Sequence, residues 1–114
     1  MLTDPLHPDL SLSKPFHIWV LAPHLQTNDE NIDYYYDFSQ SIQEYTDVFK
    51  TLDLPWTWQP VTINNYQSVI DSIKEQSAGT TPVILNLCDG DEVNGTPGVS
   101  VIHYLREKKL IYTG

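Results

Sequence analysis

A chain of 114 residues, 40% hydrophobic and 11% aromatic, is long enough for one packed core and too short for two. Fifteen Asp and Glu against six Lys and Arg leave a formal charge of −9, which argues against a partner recognised through a basic footprint, such as nucleic acid or an anionic membrane. One cysteine excludes an intrachain disulfide framework; with no basic-then-apolar leader and no apolar run of membrane-spanning length, a cytoplasmic location is expected.

Residues 1–15 carry Pro5, Pro8 and Pro15 without an apolar period and read as an extended N-terminal arm; residues 16–114 read as a single domain. Ile18-Trp19-Val20-Leu21, between His17 and Ala22, is a continuous apolar run of the kind found in strands covered on both faces. Phe38, Ile42, Tyr45, Phe49 and Leu52 then recur at spacings of 4, 3, 4 and 3, which predicts an amphipathic helix with one buried stripe. Asp37 with Gln40 forms a capping box at its start, and Pro55 stops it. Trp56 to Ile63 alternates as a second strand, and Pro60 places that strand at a sheet edge.

Asn64 or Asn65 is expected to cap a second helix with Tyr66, Val69, Ile70 and Ile73 on one face, ending before Gly79. Pro82 to Cys88 is a third, nearly all-apolar strand. Thr96 is expected to cap a third helix with Pro97 at its first position, and Arg106, Lys108 and Lys109 to fall in its last turn. Leu110-Ile111-Tyr112 begins a fourth strand. Strand and helix alternating through four strands predict an α/β fold: a three-layer, Rossmann-like parallel sheet with helices on both faces.

In such a sheet, ligands bind beyond the carboxyl ends of the strands where strand order reverses. If strand two lies outside strand one, the loops at 23–36 and 89–95 share one crevice. With Asp37 they hold Asp29, Glu30, Asp33, Asp89, Asp91 and Glu92, seven of the fifteen acids. An ammonium group or a cation would be drawn there and a phosphate repelled, although exposed loops of so acidic a chain are commonly acidic without a ligand. Other motif matches dissolve on inspection. Asp89-Gly-Asp91 opens like a calcium loop, but Val93 and Ser100 stand where ligands are required. Asn94-Gly-Thr96 reads as turn plus helix cap, and no glycine-rich phosphate loop follows the first strand. His7, His17, His24 and His103 lack ligand spacing, so no metal site is expected; Cys88, closing an apolar strand, reads as an inert buried thiol.

From the third strand onward, Val83-Ile-Leu-Asn86-Leu-Cys-Asp89-Gly90, Asn94-Gly95-Thr96-Pro97-Gly98, Leu105 and Ile111-Tyr112-Thr113-Gly114 resemble the N-terminal domain of the D-alanine–D-alanine ligase family. That family has a strand ending in Asn-Leu, a His-Gly turn, Gly-Thr before a helix, and a Pro-Tyr-Thr-Gly segment leading to its central domain. Asp37-Phe38-Ser39 resembles, more weakly, the Glu-Val-Ser that opens the family's first helix. Three positions differ. Ala22-Pro23-His24 replaces the family's Gly-Gly-x-Ser, Tyr35 stands at a substrate-holding glutamate, and Asp89 stands at the histidine of the His-Gly turn.

The resemblance implies the pre-ATP-grasp, substrate-side domain of an ATP-dependent carboxylate–amine ligase, present here without its ATP-grasp domains. It implies Tyr35, Asp37, Ser39, Asp89 and Gly90 as substrate-binding positions for an amino acid or peptide, and no catalytic residue in this chain. ATP and magnesium are implied for the parent enzyme but not for residues 1–114, which alone should be inactive. A homodimer is compatible with this reading. The alternative, from a different class, is a free-standing α/β binding or interaction module without catalysis.

Overall fold

The computed structural model describes residues 15–24, 38–77 and 79–114. They form strand β1 (Phe16–Pro23), helix α1 (Ser39–Thr51), β2 (Trp56–Val61), α2 (Tyr66–Glu75), β3 (Thr81–Asn86), a single 3-10 turn (Glu92–Asn94), α3 (Val99–Glu107) and β4 (Ile111–Thr113). The sheet runs β2-β1-β3-β4 and is parallel throughout. This is the small α/β Rossmann-like architecture that the alternating order predicts.

Side-chain alternation assigns the two faces. Trp56 and Trp58 of β2 meet the rings of Phe38, Tyr45 and Phe49, with centroids 5.4–6.3 Å apart, so α1 covers their face. Leu21, Val61 and Ile84 point the other way and join Ile70 and Ile73 of α2, Val101 and Leu105 of α3, and Cys88 in one buried cluster. The crossover from β1 to β2 runs outward and those to β3 and β4 run back, so right-handed connections put α1 on one face and the other helices opposite. Tyr66 of α2 packs edge-on against Tyr104 of α3, whose hydroxyl donates to Asp71 at 2.7 Å.

Strand β1 is central, and its Val20, Leu21, Ala22 and Pro23 are buried. Strand β2 is an edge, as Pro60 requires. Pro55 and Val61 turn their carbonyls to β1, accepting from Ile18 and His24, so Pro60 faces outward, where a missing N–H costs no ladder bond. The Gln59 amide donates to the Pro60 carbonyl, occupying part of the free edge.

Several element ends differ from expectation. In the α1 stripe Phe49 is buried, against Trp56, but Ile42 and Leu52 are exposed. Helix α1 begins after Phe38 with no side-chain cap, and Asp37 of the expected capping box lies outside the described residues. Asn65 precedes α2 but does not cap it; its side-chain oxygen accepts from Thr62 N instead, at 2.7 Å. Strand β3 ends at Asn86, two residues early, because the Asn86 side chain takes the Cys88 N–H. At the end of α3 only Arg106 lies in the last turn; Lys108 is the C-cap and Lys109 has φ of 59° beyond it.

Candidate functional site

Strand order reverses between β1 and β3, so the crevice rule points to the loop leaving β3. There a depression of about 580 Å³ is lined by residues 86–93, by Val99 and Ile102 of α3, and by Gly114 after β4. Its size is that of a small-ligand site.

The loop that forms it is held by its own polar groups. Asp91 accepts from Val93 N at 3.1 Å and opens the 3-10 turn, and Gly95 closes that turn at φ 91°, a conformation glycine adopts without strain. Gly90 N donates to the Pro97 carbonyl at 3.0 Å. Gly90 and Gly98 pass so closely that a Cβ on Gly98 would collide with the Gly90 carbonyl oxygen.

Glu92 supplies the cap that Thr96 was expected to give. Helix α3 starts at Val99 with Gly98 at its N-cap position, and Pro97 precedes the helix. The Glu92 carboxylate accepts from Gly98 N and Ser100 N, both at 3.0 Å, and from Ser100 Oγ at 2.8 Å. Thr96 is displaced because a carboxylate from outside the helix satisfies two amides and a hydroxyl together, favoured by the helix dipole. Partial desolvation alone would push the Glu92 carboxyl up. The three hydrogen bonds, aided by His103, outweigh it and hold the group below the usual carboxylate range.

Cys88 lies at the floor, 1% exposed, with its thiol 3.8 Å from the Leu21 carbonyl. Burial, then the Asp89 charge, pushes it up to about 12, so it is a packing residue and not a nucleophile.

Of the five sequence-derived substrate positions, Asp89 and Gly90 line this depression. Ser39 is the first residue of α1 and is exposed, but does not line it; Tyr35 and Asp37 lie outside the described residues. Asp89 is exposed and makes no hydrogen bond or ion pair with a described residue. Among the acids expected at this edge, Asp91 and Glu92 also line the depression, while Asp29, Glu30 and Asp33 are outside the described residues. Among the described residues, no group of three or more His, Cys, Asp or Glu is placed to hold a metal ion, and no helix is long and apolar enough to cross a membrane.

Sequence reasoning missed Asn86, Val99, Ile102 and Gly114 as lining residues. Asn86 had a legible signal: it is the single amide side chain of an otherwise largely apolar strand, at its carboxyl end. Comparison with protein-family models, curated proteins and solved structures finds no match for this chain.

Proposed function

We propose that this chain is the substrate-side, pre-ATP-grasp domain of an ATP-dependent carboxylate–amine ligase similar to the D-alanine–D-alanine ligases. Such an enzyme activates one carboxylate as an acyl phosphate and lets an amine displace the phosphate. One observation supports the reading: the two segments that carry the resemblance, 83–98 and 111–114, meet at the same depression, with Gly114 packed against the backbone of Asn86. In this role Asp89 draws a substrate ammonium, and the ligand is an amino acid or peptide handled in the cytoplasm.

The described residues do not fit the phosphates of ATP. The depression offers carboxylates, no cation among the described residues lines it, and the α3 amides that favour an anion are filled by Glu92. In this reading nucleotide and magnesium fall to the ATP-grasp regions of the parent enzyme. That same filling of the α3 N-terminus favours the second reading, a binding module without catalysis. The test is phosphate release by the product of the whole natural reading frame, with ATP, magnesium and a panel of D- and L-amino acids. Release that depends on a pair of amino acids supports the ligase; absence of amino-acid-dependent release refutes it.

A further inference from the structure

The two faces of the sheet are not covered alike. Residues paired across parallel strands share a face, so Phe16, Ile18, Val83, Leu85 and Ile111 stand with Trp56 and Trp58 on the α1 side. Helix α1 packs on the β2 end of that side, through Phe38, Tyr45 and Phe49 against the two tryptophans. Along β3 and β4 burial alternates. Ile84 and Asn86 are buried on the α2–α3 side, while Val83 and Leu85 on the α1 side are only half-buried. In β4 Tyr112 is half-buried, whereas Ile111 is 55% exposed and Thr113 is exposed. Strand β1 shows no such alternation, since Val20, Leu21 and Ala22 are all buried. A parallel sheet is ordinarily covered on both faces. Here the α1 side is closed over β2 and β1 and partly open over β3 and β4.

The start of the chain is placed to cover the open half. The Pro15 carbonyl accepts from Thr81 N at 2.8 Å, so residue 15 already borders β3. Fourteen extended residues reach up to about 46 Å, and the β3–β4 face is roughly 13 Å long and 10 Å across. The composition fits an extended layer. Leu2, Leu6, Leu10 and Leu12 are too sparse to set a period, but all four stand at even positions, and the odd positions from Thr3 to Ser13 are polar or proline. Even positions share one side of an extended chain, and Asp4 and Lys14 are its charged members. Pro5 and Pro8 lack an N–H, which disqualifies the segment as a ladder strand but not as a layer lying on a sheet face.

We propose that residues 1–14 lie extended across the α1-side face of β3 and β4, with their leucines on Val83, Leu85 and Ile111. The arm then completes the second layer of the domain. This goes beyond the ligase reading and needs neither ligand nor catalysis.

The experiment is paramagnetic relaxation in the 114-residue chain. A nitroxide is attached through Asp9→Cys, on the polar side of the arm, while the buried thiol of Cys88 stays unlabelled. Broadening of nitrogen–proton correlations is expected to be strongest at 83–85 and 111–113 and weakest along α3 on the opposite face. Adding Leu10→Ser and Leu12→Ser should cut that broadening at least threefold, which an arm merely tethered nearby would not show. A mixture of nitroxide-bearing chains without nitrogen-15 and unlabelled chains with it should show no broadening. Broadening centred elsewhere, none at β3 and β4, or no loss in the double-serine variant would each overturn the proposal. So would broadening in the mixture, which would put a second copy on this face.

Discussion

Glu92→Ala is the sharpest probe of how the loop after β3 is held. The change removes three acceptor contacts, to Gly98 N, Ser100 N and Ser100 Oγ, and leaves the first amides of α3 to water. Loss of a helix cap costs ~1 kcal/mol and in strong cases ~2. Hydrogen bonds to a charged acceptor are worth about 1.5–3 kcal/mol when well buried. Glu92 is only half-buried, so solvent screening discounts the sum, and about 2 kcal/mol is expected for the whole cluster. Glu92→Gln keeps an acceptor but loses the charge and should cost about half as much. A domain of this size has a total stability of about 5–15 kcal/mol, so the effect is readily measured by urea denaturation followed through the three tryptophans.

The pH dependence carries a second, independent check. The folded-state pKa of Glu92 lies below its unfolded value, so the unfolded chain binds the proton more readily. The stabilisation is therefore complete above the unfolded value, near ~4.3, and is lost as pH falls through the folded one. The gap between wild type and Glu92→Ala should be full at neutral pH and shrink through that acid window. A gap below about 0.3 kcal/mol at neutral pH, well inside the range of indifferent surface changes, would refute the capping argument. So would amide exchange at Gly98 and Ser100 that is unaffected by the change.

Other expectations follow from contacts already described. Gly98→Ala forces a Cβ onto the Gly90 carbonyl and should cost about 3 kcal/mol or more in denaturant titrations, an overpacking penalty that a loop free to relax would not show. Leu21→Ala opens a cavity in the central strand and should destabilise by about 2–5 kcal/mol, measured in the same way. Cys88 should react slowly with a disulfide reagent in the native state, since at pH 8 a thiol raised to about 12 is ionised in about one molecule in ten thousand; rapid stoichiometric labelling would contradict its burial. Calorimetric titration of magnesium-ATP into the 114-residue chain should show no micromolar binding, because phosphates would meet Asp89 and Asp91 at the depression and find the α3 amides filled by Glu92.

Fold was legible wherever a local rule governed it. Apolar runs marked β1 and β3 as central, and Pro60 alone was enough to put β2 at an edge, because a residue without an N–H cannot sit in mid-ladder. The alternation of strand and helix then left few topologies. Caps were less legible. Thr96 followed by Pro97 satisfies every local preference for a helix start, yet the helix begins two residues later under a carboxylate from Glu92. No spacing rule links positions 92 and 100; the pairing exists because the Gly90–Gly98 contact folds the loop back on itself. The site was legible in part for the same reason. Asp89 and Gly90 follow directly from the crevice rule, whereas Gly114 reaches the depression through the β3–β4 register, a non-local property.

The arrangement of charge at this edge argues about selectivity more than about affinity. A helix N-terminus at the mouth of a crevice is ordinarily an invitation to an anion, and the adjacent carboxylates would then be a contradiction. Glu92 resolves it by turning one carboxylate inward onto the α3 amides, which neutralises the positive end of the helix and removes that acid from the ligand's view. What remains exposed is Asp89 and, beside it, Asp91, over a wall of Val93, Val99 and Ile102. Among the described residues an anion is thus disfavoured by the occupied α3 amides and by the remaining charge. A cationic ligand is drawn by Coulomb attraction alone, weak in water and strengthened as the apolar wall excludes solvent.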